Sequence, residues 1–210
     1  MIRLVAQPWW VNLLVLVPVL AYAAWRRGGL ALTAKQLAIS GVFAAAFGFV
    51  EASVVVYLRA AVGMLPGYQG TLADVARLSG QAYQQSQTIT QFPQSLLTVE
   101  VFREAATIIM LGSVALLATS KARARWAIFL WTFAIWDIVY YAALWALVRW
   151  PASLKDFDVL FLIPVPWVSP VWFPLLVSGL AILAVLLARV RTSESSPECD
   201  IERISKPSVP

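Results

Sequence analysis

Residues 126–148 read WAIFLWTFAIWDIVYYAALWALV and contain one charged residue, Asp137, close to the middle. An α-helix needs about 20 mostly apolar residues to cross the hydrocarbon core of a bilayer. The stretch therefore predicts a transmembrane helix. A carboxyl group inside such a helix is costly in lipid, so it indicates a side chain that faces the bundle interior or a water-filled cavity.

Four further stretches of the chain are also long and apolar enough to cross a membrane. Apolar residues make up 60% of the 210 residues and charged residues 13%, whereas soluble domains have about 45–50% and 25%. We therefore predict an all-α fold, a polytopic integral membrane bundle of about five transmembrane helices within residues 1–191. The five predicted spans are 9–25, 37–62, 96–119, 126–148 and 171–188.

Basic residues are unevenly distributed between the two ends of the predicted helices. They are concentrated after spans one, three and five, and such clusters favour the cytoplasmic side of a membrane. This pattern predicts an external N-terminus and a cytoplasmic C-terminus, in the bacterial cytoplasmic membrane. The residues concerned are Arg26, Arg27, Lys35, Lys121, Arg123, Arg125, Arg189 and Arg191.

Two segments on the predicted external side are unusual. Residues 63–95 are too long for a simple turn, and Thr71 and Asp74 have the spacing of a capping box that begins a short helix. Residues 160–174 read LFLIPVPWVSPVWFP, with prolines that exclude a continuous helix. We predict a re-entrant or interfacial hairpin packed on the bundle. Residues 192–210 are polar and predict a disordered cytoplasmic tail.

Several classes of function are excluded by composition. The chain has no histidine and one cysteine, Cys199, so we expect no haem or zinc site and no Ser–His or Cys–His catalytic pair. No cofactor is identified, although carboxylates leave a hard divalent cation possible. The net charge of +5 is explained by the topology signals, and we expect no nucleic-acid partner.

The charged residues inside the spans are the candidate site. Glu51, Glu100, Glu104 and Asp137 are predicted to share one layer in the external half of the bundle. Four further residues are expected to support this site: Arg59, Arg103, Tyr140 and Tyr141.

Helical spacing predicts how these side chains face. Glu100 and Glu104 lie four residues apart and share a stripe with Thr107. Glu51 continues a stripe of small residues that lets another helix approach closely. We expect Tyr141 to donate a hydrogen bond to Asp137. Asp156 and Asp158 are expected in a solvated turn, with a divalent-ion site shared with the cluster as the alternative. Trp136 is expected to be a packing residue, with a pocket for an aromatic or isoprenoid ligand as the alternative.

Two interpretations of the carboxylates remain open. They can form structural ion pairs with Arg59 and Arg103, which can also extend to the lipid head groups. The four carboxylates outnumber these two arginines, however, and an excess carboxylate in a low dielectric is expected to hold a proton or bind a cation. The site residues therefore favour a proton or cation site.

Three functions follow, with different partners beyond the lipid bilayer. The first is transport, in which the carboxylates bind or relay protons or cations. The second is an intramembrane enzyme acting on a lipid or isoprenoid substrate, with Glu100, Glu104 and Asp137 holding a divalent cation. The third is a non-catalytic subunit whose charges pair with a partner in a membrane complex. A homo-oligomer is compatible with each.

Overall fold

A computed structural model describes residues 5–61 and 94–194 of the chain, and this part is mostly helical. A 3₁₀ segment (Trp9–Val15) leads directly into the first α-helix. The helices are α1 (Leu16–Trp25), α2 (Ala34–Ala61), α3 (Gln94–Ala118), α4 (Ala122–Val148) and α5 (Trp172–Glu194). Two strands, β1 (Phe157–Phe161) and β2 (Trp167–Pro170), lie between α4 and α5.

Within the described residues, four helices, α2 to α5, are long and apolar enough to cross a membrane. The segment Trp9–Trp25 is a shorter apolar helix. Large apolar side chains on the outside of the bundle fit a lipid environment, since Leu117 is 88% exposed and Val42 and Phe102 are each 71% exposed. The protein is therefore a mostly helical membrane bundle, as its hydropathy predicts.

Helix α4 is the centre of the bundle. It packs against α2, α3 and α5, whereas α1 packs mainly on α5. In the apolar part of α4 that could cross a membrane, 56% of the residues are buried, compared with 22% in the corresponding part of α3. Side chains on α4 are therefore the best placed to line an internal site.

The contact between α2 and α4 depends on two glycines, as the stripe of small residues predicts. A Cβ atom added to Gly48 would lie 2.6 Å from the carbonyl oxygen of Trp136 and 3.2 Å from the amide nitrogen of Tyr140. At Gly41 the nearest atom is 3.2 Å away, on the side chain of Ile135. The predicted close helix approach is confirmed, and it brings Glu51 of α2 beside the middle of α4.

The proline-rich segment forms an antiparallel β-hairpin, with Phe157 opposite Pro170 and Val159 opposite Val168. Gln7 extends the pairing, because its N–H donates to the Val168 carbonyl and its own carbonyl accepts from Val168, both at 2.8 Å. The predicted hairpin is present, but the all-α prediction missed its strand pairing. The prolines disfavour strands in the sequence, but Pro164 and Pro166 lie in the turn between the two strands, where they interrupt no strand hydrogen bond.

The hairpin and the clusters of basic residues that follow α1, α3 and the apolar part of α5 lie at opposite ends of the bundle. At the basic end, Arg123 donates to the carbonyl of Ala24 at 2.7 Å, and Arg189 donates to that of Leu32 at 3.1 Å. Leu30 also donates to the carbonyl of Ala188 at this end, at 3.2 Å. The chain thus runs from the hairpin end to the basic end along Trp9–Trp25, and alternates in direction along the following helices.

Two predicted features fall largely outside the described residues. The first is most of the 63–95 connection, which includes the capping box at Thr71 and Asp74. The described structure resumes where α3 begins, at Gln94. The other is the tail, of which only the first three residues are described, because α5 continues to Glu194.

Replacement of Gly48 by alanine is expected to destabilise the bundle. The new methyl group would overlap the backbone of α4, so α2 must move away, at a cost of about 1–3 kcal/mol. Gly112→Ala is the matched control, since its Cβ would meet nothing within 4 Å. Thermal unfolding in detergent should show a lower Tm for Gly48→Ala and an unchanged or higher Tm for Gly112→Ala. Equal Tm values for the two variants would contradict the packing.

Candidate functional site

A cavity of about 90 Å³ lies at the hairpin end of the bundle, bounded by the 3₁₀ segment, the helices α2 to α5 and both strands. At about 30 Å³ per water in the liquid, this volume has room for about three water molecules. The described residues that line it include four carboxylates and one arginine. They are Glu51, Glu104, Asp137, Asp158 and Arg103. The structure therefore gathers three of the four predicted carboxylates around one space and adds Asp158.

Arg103 joins two of the predicted carboxylates. Its Nε and Nη2 atoms donate to Glu100 Oε2 at 2.9 and 2.8 Å. Its Nη1 atom donates to Glu51 Oε2, and the Thr107 hydroxyl donates to the other oxygen of Glu51. Glu51 is thus bound from α3 through both oxygens, whereas Glu100 belongs to the ion pair and does not line the cavity.

Glu104 connects α3 to the hairpin. Its Oε2 atom accepts a hydrogen bond of 2.7 Å from the backbone N–H of Leu162, the residue that follows β1. Glu104 is buried, as its position on the stripe with Glu100 and Thr107 predicts. The hairpin is therefore held to the bundle by a carboxylate that also lines the cavity.

Asp137 is buried in the middle of α4 and accepts a hydrogen bond from the Ser178 hydroxyl of α5 at 2.8 Å. The expected bond from Tyr141 to Asp137 is wrong, because the Tyr141 hydroxyl donates to Asp158 at 3.0 Å. The tyrosine ring extends from α4 towards β1, so its hydroxyl meets the hairpin. Tyr140 lines the cavity, as expected for a supporting residue.

The two aspartates of the 156–158 segment have different environments. Asp156 accepts the N–H groups of Ala152 and Ser153 in an exposed turn, at 2.8 and 3.0 Å, as expected. The same expectation is wrong for Asp158, which is buried and lines the cavity. Residues 158–161 all line the cavity, so the alternation of side chains along a regular strand would not by itself have identified Asp158.

Aromatic rings form much of the remaining wall. Trp136 stacks on Tyr140 with 6.0 Å between ring centroids, and Phe133 stacks on Phe161 at 6.3 Å. Trp167 of β2 contacts Phe161 at 5.4 Å. Trp136 does pack, as expected, but it also lines the cavity. Within the described residues, the indole nitrogens of Trp136 and Trp167 are buried without a hydrogen-bond acceptor.

The backbone of Arg59 lies in the last turn of α2, and its side chain falls outside the described part of the structure. Across residues 5–61 and 94–194, no group of three or more acidic or cysteine side chains has the arrangement of a metal site.

No protein family, no curated protein and no solved structure matches the chain.

Removal of the Arg103 cation is expected to destabilise the protein. Arg103→Gln leaves Glu51 buried without a cation, and the free energy of unfolding should fall by about 3 kcal/mol. The double variant Arg103→Gln/Glu51→Gln should recover most of this loss, because it also removes the unpaired charge. Chemical denaturation in detergent micelles measures both, with the exposed Arg27→Gln as control. Equal stability of the two Arg103 variants would contradict the ion pair.

Proposed function

We propose that the protein binds and relays protons or small cations in transport, through the cavity lined by Glu51, Glu104, Asp137 and Asp158. The observation that supports this proposal is the excess of carboxylates over arginine among the described residues of the cavity wall. Ionisable groups at membrane depth are costly and typically mark ion pathways and proton relays.

The hydrogen bonds of the site indicate where a proton or cation binds. Arg103 is shared between Glu51 and Glu100. The hydrogen bonds that Glu104 and Asp137 accept come from neutral donors, a backbone N–H and a serine hydroxyl. Such donors offset only part of the cost of burying a carboxylate. Glu104 and Asp137 are therefore the proposed positions that take up and release the transported ion.

The hydrogen bond between Glu104 and Leu162 links the protonation of Glu104 to the access of solvent to the cavity. A hydrogen bond to an ionised carboxylate is stronger than one to a neutral group. Uptake of a proton by Glu104 therefore weakens the contact that holds the hairpin on α3 and favours opening of the cavity at the hairpin end. The two alternatives, a lipid enzyme and a non-catalytic subunit, gain no specific support from the described residues.

The proposed membrane topology has five spans, with the hairpin end outside. The segment Trp9–Trp25 is short in residues, but its first seven are in a 3₁₀ helix, which rises more per residue than an α-helix. The segment therefore extends about 29 Å, close to the thickness of about 30 Å of the hydrocarbon core. It pairs with the hairpin at one end through Gln7 and ends near α5 at the other.

The transport proposal is tested with purified protein in liposomes that contain a pH-sensitive dye and carry a proton gradient. Wild-type protein is expected to dissipate the gradient, with either Na⁺ or K⁺ as counter-ion. Asp137→Asn and Glu104→Gln should reduce the rate at least about 10-fold, because each removes a group that carries the ion. Asp156→Asn is the matched control, since Asp156 caps an exposed turn outside the cavity.

Correct folding of the variants is checked by thermal unfolding and size-exclusion chromatography. A folded Asp137→Asn variant with the wild-type rate contradicts the assigned role of Asp137. The absence of proton or cation flux in the wild-type protein, in both orientations of the gradient, would overturn the transport proposal.

The topology is tested by cysteine labelling in a Cys199→Ser background, which removes the only cysteine of the chain. Ala152→Cys lies at the hairpin end and Ser120→Cys at the basic end, and both positions are exposed. A membrane-impermeant maleimide should label Ala152→Cys in intact cells of a bacterial host, and Ser120→Cys only after permeabilisation. The reverse pattern would contradict the orientation.

A further inference from the structure

The aromatic wall of the cavity restricts the kind of cation that fits it. Four rings, those of Phe133, Trp136, Phe161 and Trp167, form a chain of contacts with centroid distances of 5.4 to 6.4 Å. A small inorganic cation would use only the carboxylate oxygens of the cavity and would gain little from these rings. An organic ammonium ion is attracted by the negative faces of aromatic rings, and it buries its alkyl groups against them.

The carboxylates of the same cavity provide the opposite charge. Glu104 and Asp137 line it together with the rings of Trp136 and Phe161. Aromatic rings that surround the cation are the usual means by which proteins bind quaternary ammonium ions, and here the carboxylates add an opposite charge. Since a cavity of about 150 Å³ holds benzene, a cavity of about 90 Å³ limits the ligand to a small ammonium ion.

A buried indole N–H indicates that the ligand also carries a hydrogen-bond acceptor. Trp136 is only 7% exposed and lines the cavity. Its Nε1 atom has no acceptor among the described residues. A buried donor in a native structure is normally paired with protein, with water or with a ligand, and a ligand oxygen in the cavity would provide that acceptor.

We propose that the cavity binds a small organic ammonium ion that also carries an oxygen acceptor, the class to which amino alcohols belong. The inference rests on the proposed function, because it names the cation that the carboxylate cavity takes. The ammonium group lies against the aromatic rings near Glu104 and Asp137, and the oxygen accepts the hydrogen bond of the Trp136 indole.

The experiment is calorimetric titration of the full chain in detergent with three probes. Choline has both features, tetramethylammonium lacks the oxygen, and 3,3-dimethylbutan-1-ol has the shape of choline without its charge. Choline is expected to bind tightest. The neutral alcohol should bind at least about 10-fold more weakly, because it loses the attraction of rings and carboxylates. Tetramethylammonium should bind about 3-fold more weakly, because it leaves the indole unpaired.

Two variants separate the contributions of the rings and of the indole N–H. Phe161→Leu removes a ring but keeps an apolar side chain, and should weaken choline and tetramethylammonium alike, by about 3-fold or more. Trp136→Phe keeps a ring and removes the N–H, so it should weaken choline and leave tetramethylammonium close to its wild-type affinity. Trp145→Phe is the control, because Trp145 is exposed and does not line the cavity.

The outcomes distinguish this inference from the transport proposal. Equal affinities for choline and the neutral alcohol, or no binding of choline, overturn the ammonium site. If proton flux in liposomes still depends on Glu104 and Asp137 in that case, the transport proposal stands without it. Binding of choline that depends on Phe161, in a protein that moves neither protons nor choline across liposomes, supports the ammonium site and overturns the transport proposal.

Discussion

The ion pair between Arg103 and Glu51 is the interaction that joins α2 to α3 at the cavity. Helices α2 and α3 make few other contacts, since both pack mainly on α4. The pair is possible because Gly48 lets α2 approach α4 closely, which brings Glu51 within reach of α3. A guanidinium group with several planar donors can serve two carboxylates at once. Arg103 does so, and thereby joins two helices while it neutralises part of the buried charge.

The hairpin is tied to the helices through acidic groups rather than through apolar packing alone. Glu104 accepts from the Leu162 N–H, and the Tyr141 hydroxyl donates to Asp158. Carboxylates therefore hold the hairpin in place and also line the cavity that it covers. A buried acid costs stability unless its partners are good, and the excess of carboxylates over arginine in the cavity wall is the feature on which the proposed function rests. In the proposed function, the same groups couple the charge of the cavity to the position of the hairpin.

Some side-chain positions in the site follow from sequence periodicity, and others do not. Periodicity placed Glu51 on a packed face and Glu104 on the stripe of Thr107, and both side chains are buried. Helical spacing predicts a hydrogen bond from Tyr141 to Asp137 because it describes neighbours on one helix only. The acceptor that the Tyr141 hydroxyl actually contacts, Asp158, comes from the hairpin. The sequence around Asp158 indicates a solvated turn, because the strand pairing and the contact with Tyr141 around this buried side chain arise only in the tertiary structure.

The sequence by itself determined the membrane bundle, the approximate spans, the charge asymmetry between the ends, and the residues that are too polar for lipid. These features follow from local composition and from the length needed to cross a bilayer. Tertiary structure alone decided which carboxylates share a cavity, that Arg103 serves Glu51 and Glu100, and that aromatic rings of α4 and the hairpin form one wall. Partners distant in sequence meet through helix packing and strand register, and neither is encoded in the periodicity of a single segment.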